Sequence, residues 1–157
     1  MMTERLDKSE KSDKSYLLAA MHALLGIGAV VGGLLLMIDP SGKLLNMPLT
    51  LLEKAPFFDF LIPGLILFMV LGMLPIVICI ALVRRVHWTL AKKLNLYPER
   101  YWAWTFSLYT GFALLIWIIV QVYVIQTVSS IHLFYFVWGL GIQVVTLLPD
   151  IQRRYTV

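Results

Sequence analysis

Five polar side chains stand out in a chain that is otherwise mostly apolar. Asp39, Asp59 and His132 lie at the ends of long apolar runs, whereas Gln121 and Gln143 lie inside such runs. A carboxylate beside an imidazole can bind a metal ion or transfer a proton. Polar side chains within a membrane span are costly, which makes them candidates for function. These five residues therefore form the predicted polar site.

The same five residues also have structural interpretations, which we prefer. Asp59 precedes an apolar run and suits a helix N-terminus, and Asp39 begins a turn sequence. His132 either caps a helix or faces lipid headgroups. Gln121 and Gln143 are typical of hydrogen bonds between helices, worth about 0.6–2 kcal/mol each. No catalytic or phosphate-binding motif occurs, so we expect no enzyme activity, cofactor or metal site.

Four apolar runs must position these side chains. They cover residues 16–38, 60–83, 102–125 and 131–148. The chain is 60% hydrophobic and 14% charged, against about 45–50% and about 25% in soluble domains. The first three runs are long enough to cross about 30 Å of hydrocarbon, and the fourth, with 18 residues, is shorter but within the range for a span. The sequence predicts an all-α membrane protein, a four-transmembrane-helix bundle in a single integral membrane domain over 1–157, with residues 1–15 as a tail that is either helical or disordered.

Basic residues predict the orientation of this bundle. Of the 13 Lys and Arg residues, four lie in the N-terminal tail, five in the second connection and two in the C-terminal tail. With four spans these three segments share one side, which the positive-inside rule assigns to the cytoplasm. We therefore expect a protein of the cytoplasmic membrane with both termini inside and membrane lipids as partners. The net charge of +4 follows from this topology and requires no nucleic acid.

The connection between the first two runs is unusually apolar. Pro48 precedes Leu49, Leu51 and Leu52, and leucines on a short helix are poorly suited to water. We expect this outer segment to lie in the membrane interface or against the bundle.

Small residues in the first run predict close helix packing. Gly28 and Gly32, like Ala29 and Gly33, are four residues apart, which lets helix backbones approach closely. The contact is either with another span of the same chain or with a second copy. Pro75 lies in the middle of the second run and predicts a kink there.

Two sequence segments resemble those of a known group of proteins. They are Asp39-Pro40-Ser41-Gly42 and Pro56-Phe57-Phe58-Asp59-Phe60-Leu61-Ile62-Pro63-Gly64, and Trp102-Ala103-Trp104 also fits. In these segments the chain resembles a widespread group of small, uncharacterised bacterial membrane proteins with four predicted spans. The resemblance covers the first two spans best. It implies a bacterial cytoplasmic-membrane protein and transfers no catalytic residue.

Two functions fit these features. The first is a non-enzymatic membrane protein that associates with itself or with a membrane partner. The alternative is binding or transport of a lipid or small hydrophobic molecule in a cavity between helices, opened at Pro75 and lined by Gln121 and Gln143. No run carries a charged residue near its midpoint, which argues against ion-coupled carriers.

Overall fold

The computed structural model describes residues 2–157, with side chains from Lys14 onward. The helices are α1 (Met2–Ile38), α2 (Leu61–Arg84), α3 (Thr89–Lys93), α4 (Trp102–Ile125), α5 (Ser130–Leu147) and α6 (Pro149–Arg154). Two 3₁₀ turns, Lys43–Leu45 and Leu49–Leu52, lie between α1 and α2. Within the described range the regular structure is helical, apart from an isolated β-bridge between Arg100 and Thr156.

Four of these helices are long and apolar enough to span a membrane. They are Lys14–Ile38 within α1, Leu61–Arg84, Trp102–Ile125 and Ser130–Leu147. Each agrees with a predicted run to within two residues at either end, so the prediction of four helices long and apolar enough to span a membrane is confirmed. Residues 2–15, expected as a tail, continue α1 as helix. Predictions about the side chains of residues 1–13 lie outside the part of the chain whose side chains are described.

The four long helices form a ring in the order α1, α2, α4, α5, with α1 and α4 diagonally opposite. We call the end that carries the connection 39–60 and the turn 126–129 the loop end. The opposite end, which carries the connection 85–101 and α6, is the terminal end. The tight turn after α4 makes α4 and α5 an antiparallel pair.

Glycines bring α1 and α2 into backbone contact. A Cβ atom on Gly33 would lie 2.8 Å from the carbonyl oxygen of Gly64, and one on Gly26 would lie 2.9 Å from that of Gly72. Both distances are too short for any side chain. The predicted packing role of Gly33 is therefore met inside the chain, while Gly28 and Gly32 lie on another face of α1, described below.

The irregularity expected at Pro75 takes the form of a π-helical stretch. Residues Leu67–Met73 are π-helical, and regular α-helix resumes at Leu74, one residue before the proline. Proline has no N–H to donate and its ring displaces the carbonyl four residues earlier, so a wider turn upstream accommodates it. Leu67 and Leu71 belong to this stretch, and both face the interior cavity.

The connection 39–60 packs onto the loop end through a small cluster of its own. Leu52 and Phe60 are buried together with Leu36 of α1. The N–H of Phe60 donates to the carbonyl of Pro40 at 2.9 Å, which closes the base of the loop. Gly42 has φ 77°, and a Cβ there would overlap the carbonyl oxygen of Met47, so this turn requires glycine.

The C-terminal segment closes the terminal end of the bundle. Tyr155 is fully buried, with its hydroxyl 2.6 Å from Ser15 Oγ and 3.1 Å from the carbonyl oxygen of Leu82, to which it donates. The guanidinium of Arg85 lies over the Tyr155 ring, 4.3 Å from its centre. Lys14 pairs with Asp150 at 2.9 Å. These contacts join α1, α2 and the C-terminal segment.

Candidate binding cavity

A cavity of about 480 Å³ occupies the loop-end half of the bundle. All four long helices and the connection 39–60 contribute to its wall. The lining residues on the helices are Leu25, Gly28, Ala29, Gly32, Leu67, Leu71, Leu114, Trp117, Ile118, Gln121, Ile125, Ile131, His132 and Tyr135. The roof is formed by Leu45, Met47 and Leu51 from the connection, with Thr127 and Ser129 from the turn after α4.

Three of the four α1 residues that line the cavity, Gly28, Ala29 and Gly32, are small, which leaves space in the bundle. A Cβ atom on Gly28 would meet only the Tyr135 hydroxyl, at 3.4 Å, and one on Gly32 would meet only Leu67 Cδ2, at 3.5 Å. Both are ordinary van der Waals contacts, unlike the tight contacts at Gly26 and Gly33. Gly28 and Gly32 therefore border open space rather than a helix backbone.

The wall is incomplete between α1 and α5. Gly28 is exposed although it lines the cavity, and Ile131 is 60% exposed. A hydrogen bond joins these two helices toward the terminal end, where Trp138 Nε1 donates to the carbonyl of Met21 at 3.3 Å. At Gly28 the nearest group of α5 is the Tyr135 hydroxyl, and the exposure of Gly28 indicates that the cavity wall is thin at this seam.

His132 supplies a hydrogen-bond donor to this cavity. Its Nδ1 accepts the backbone N–H of Ser129 at 3.1 Å, and Ser129 Oγ lies 3.1 Å from the same nitrogen. The neutral ring therefore carries its proton on Nε2, because a nitrogen that accepts an N–H bond carries no proton. His132 is buried and lines the cavity, and its Nε2–H has no partner in the described chain.

Two further polar groups of the lining are also without a partner. Neither the Gln121 amide nor the Tyr135 hydroxyl makes a hydrogen bond to residues 14–157. Gln121 additionally borders a smaller space of about 60 Å³ beneath the connection, lined also by Leu52, Phe60 and Val124. Gln121 and His132 thus give the cavity donors and acceptors at its loop end, whereas the Tyr135 hydroxyl lies beside Gly28, about one helical turn from Leu25.

Gln143, by contrast, is used within the helix packing. Its Nε2 donates to the carbonyl of Leu108 at 3.0 Å, and it lies directly over Gly111, where a Cβ would approach that nitrogen to 2.7 Å. It therefore joins α5 to α4, as predicted for an interhelical amide, and it does not line the cavity. The expectation that Gln121 and Gln143 share one cavity is met for Gln121 alone.

The two candidate carboxylates lie in the connection and are satisfied locally. Asp59 accepts the N–H of Leu61 at 3.0 Å, at the start of α2. Asp39 accepts the Ser41 hydroxyl at 2.5 Å and the N–H of Leu44 at 3.0 Å, and these bonds hold the pKa of its carboxyl below the usual range. Neither residue lines the cavity. Among the described residues no group of three or more His, Cys, Asp or Glu side chains is arranged to hold a metal ion.

A buried polar layer lies toward the terminal end from the cavity. His22 and Thr110 are fully buried, and neither ring nitrogen of His22 nor the Thr110 hydroxyl has a partner within the described chain. They lie about one helical turn beyond Leu25 and Leu114, the last cavity residues of α1 and α4. These two leucines separate the polar layer from the cavity.

A second surface cavity, of about 370 Å³, lies at the terminal end beside Trp88 and Trp102. Trp102 Nε1 is already bonded to the carbonyl of Val86 at 2.9 Å, and the exposed His87 is the titratable residue of the lining.

Sequence reasoning identified Gln121 and His132 but not Tyr135 or Ser129. Tyr135 lies among other aromatic residues of α5, so composition does not distinguish it. Ser129 precedes His132 by three residues, the spacing of a capping box, and that signal was available in the sequence.

No family model, curated protein or solved structure matches the chain.

Proposed function

We propose that this protein is a non-enzymatic membrane protein that binds a lipid or another small hydrophobic molecule in the cavity between its helices. One observation carries the proposal: the cavity is apolar over most of its wall and has unpartnered polar groups at one end. Its volume of about 480 Å³ lies within the range of about 300–1,000 Å³ usual for small-molecule sites. The seam at Gly28 supports access from the surrounding lipid.

Self-association through the glycines of α1 has less support. Gly33 is already in contact with Gly64 of the same chain, and Gly32 borders the cavity. Gly28 alone of the three is exposed. A dimer or a membrane partner remains a prediction, which the experiment below also tests.

We place the protein in a bacterial cytoplasmic membrane, with both termini in the cytoplasm. Of the 13 basic residues, 11 belong to segments at the terminal end, which is the end expected to face the cytoplasm. The loop end, with the cavity and its roof, would then belong to the outer leaflet.

The test compares the ligand content of two variants. In Gly32→Leu the new side chain extends into the cavity, because only Leu67 lies near that position. The matched control is Val31→Leu, a change on the exposed face of the same helix, where Val31 is 52% exposed. Native mass spectrometry and solvent extraction of the purified proteins report both bound ligand and oligomeric state.

We expect the wild type and Val31→Leu to retain a hydrophobic ligand that Gly32→Leu loses, with similar melting temperatures for all three. Identical ligand content in all three folded proteins would contradict the proposal. A stable dimer that Gly28→Leu dissociates, with no bound ligand, would favour self-association instead.

A further inference from the structure

We infer that the cavity selects an uncharged amphiphile whose head carries a hydrogen-bond-accepting oxygen, such as a ketone, ester or alcohol, and that this head binds at His132. The inference rests on the proposed function and specifies the class of ligand.

Charge is the first discriminating property of the lining. No Asp, Glu, Lys or Arg is among the residues that line the cavity, all of which lie in the described chain. An ionised head would therefore be transferred from water or headgroups to a site without a counter-ion, at a large cost in free energy. Phosphate, carboxylate and quaternary ammonium heads are disfavoured on this ground.

Polarity is also distributed unequally along the cavity. Gln121 and His132 lie toward the loop end, whereas the opposite end is closed by Leu25 and Leu114 and has one polar group, the Tyr135 hydroxyl beside Gly28. Leu114 precedes Gln121 by seven residues of α4, which separates them by about 10 Å along the helix. A molecule with a polar head and an apolar tail matches this arrangement, with its tail directed toward Leu25.

The Ser129–His132 contact determines which group the head must present. Because Nδ1 is occupied by the Ser129 N–H, the cavity receives a donor from the imidazole, at Nε2. A donor selects an acceptor, so a head oxygen completes this bond, and the Gln121 amide can donate a second one. An alkane leaves both groups unpaired, as they are in the protein alone.

The test measures displacement of a probe by matched ligands. A terminally brominated alkane quenches tryptophan fluorescence, and Trp117 lines the cavity. Trp117→Phe separates this quenching from that of the other tryptophans. The competitors are a long-chain methyl ketone, the alkane of the same length and the fatty acid of the same length at neutral pH.

The matched variant is His132→Met, because the methionine thioether is a weak acceptor and has no hydrogen to donate. We expect the preference for ketone over alkane to be about fivefold lower in His132→Met than in the wild type, the effect of one neutral hydrogen bond. Comparing the two proteins cancels the partition of each ligand into detergent. The fatty acid should displace the probe less well than the ketone.

Each other result has a distinct meaning. Equal preferences in the wild type and His132→Met, or stronger displacement by the fatty acid, would overturn this inference while leaving a hydrophobic binding site. Failure of the brominated probe to quench Trp117 at any concentration would overturn the proposed function itself. If His132→Met does not fold, the comparison of ketone with fatty acid in the wild type still decides the question of charge.

Discussion

Gly33 of α1 and Gly64 of α2 lie in backbone contact, so that a Cβ atom on Gly33 would stand 2.8 Å from the Gly64 carbonyl oxygen and 2.8 Å from Phe68 N. Neither neighbour can move without shifting a helix, because both atoms belong to the main chain. Gly32, the adjacent residue, has only a flexible leucine side chain near it, at 3.5 Å. Gly32 therefore has room for an added side chain and Gly33 does not, although the two are neighbours in sequence.

We predict that Gly33→Ala destabilises the bundle by about 1–3 kcal/mol, the usual cost of overpacking. Gly32→Ala should change stability by less than about 0.5 kcal/mol, because the added methyl group enters open space. Unfolding in mixed micelles of increasing SDS content measures both variants against the wild type. Equal destabilisation by the two changes would show that the cavity wall at Gly32 is closed.

Tyr155 gives a second prediction, at the terminal end. Its hydroxyl bonds Ser15 and Leu82 in a fully buried position, so Tyr155→Phe leaves both groups unpaired. We expect a loss of about 1–3 kcal/mol in the free energy of unfolding. Tyr123→Phe is the matched control, since Tyr123 is 71% exposed. A melting temperature of Tyr155→Phe equal to that of the control would mean that the C-terminal segment is not docked.

The elements of this fold were largely predictable, whereas their lateral contacts were not. The lengths of the apolar runs predicted the four long helices, and the missing N–H of Pro75 predicted an irregular turn before it. The roles of Gly28, Gly32 and Gly33 depend on which face of α1 meets α2, and small-residue spacing is the same for a backbone contact and for a cavity wall. That choice arises only when all four helices pack.

The candidate site shows the same division. The positions of Gln121 and His132 along the apolar runs correctly predicted that both lie at the same end of the bundle. The same reasoning also grouped them with Asp39 and Asp59, which do not line the cavity. Those carboxylates find backbone and hydroxyl donors within five residues of their own positions. Hydrogen bonds within local turns satisfy both carboxylates without any long-range contact. The hydrophobic periodicity of the sequence does not reveal such turns.

Tyr101 leads to a prediction about alkaline pH. Burial raises the pKa of Tyr101 to about 12, from a usual value of 10.0, although the nearby Arg85 acts in the opposite direction. Its hydroxyl donates to the carbonyl of Val86 at 2.7 Å, which requires the protonated form. Because the folded protein holds this proton more tightly than the unfolded chain, the stabilisation is complete below pH 10 and falls as the pH rises toward 12.

Thermal unfolding at several values between pH 9 and pH 12 tests this sign. We expect the wild type to lose stability more steeply than Tyr101→Phe over that interval, since the variant lacks the titrating group while sharing every other tyrosine and lysine. Parallel pH profiles for the two proteins would show that the Tyr101 hydroxyl is accessible to solvent.

Ser129 and His132 provide the last prediction, in which stability and ligand choice separate. Ser129→Ala removes the side-chain oxygen at the start of α5 and should cost about 1 kcal/mol of stability, the usual value for a lost cap. It keeps the backbone N–H that bonds Nδ1, so the imidazole still presents Nε2–H and the preference for ketone over alkane should persist. His132→Met should lose this preference at a similar cost in stability, because the thioether is a weak partner for the cap and has no hydrogen to donate. Melting temperatures and probe displacement measured on both variants check this difference. A loss of ketone preference in Ser129→Ala without loss in His132→Met would show that the serine hydroxyl, and not the ring, contacts the ligand.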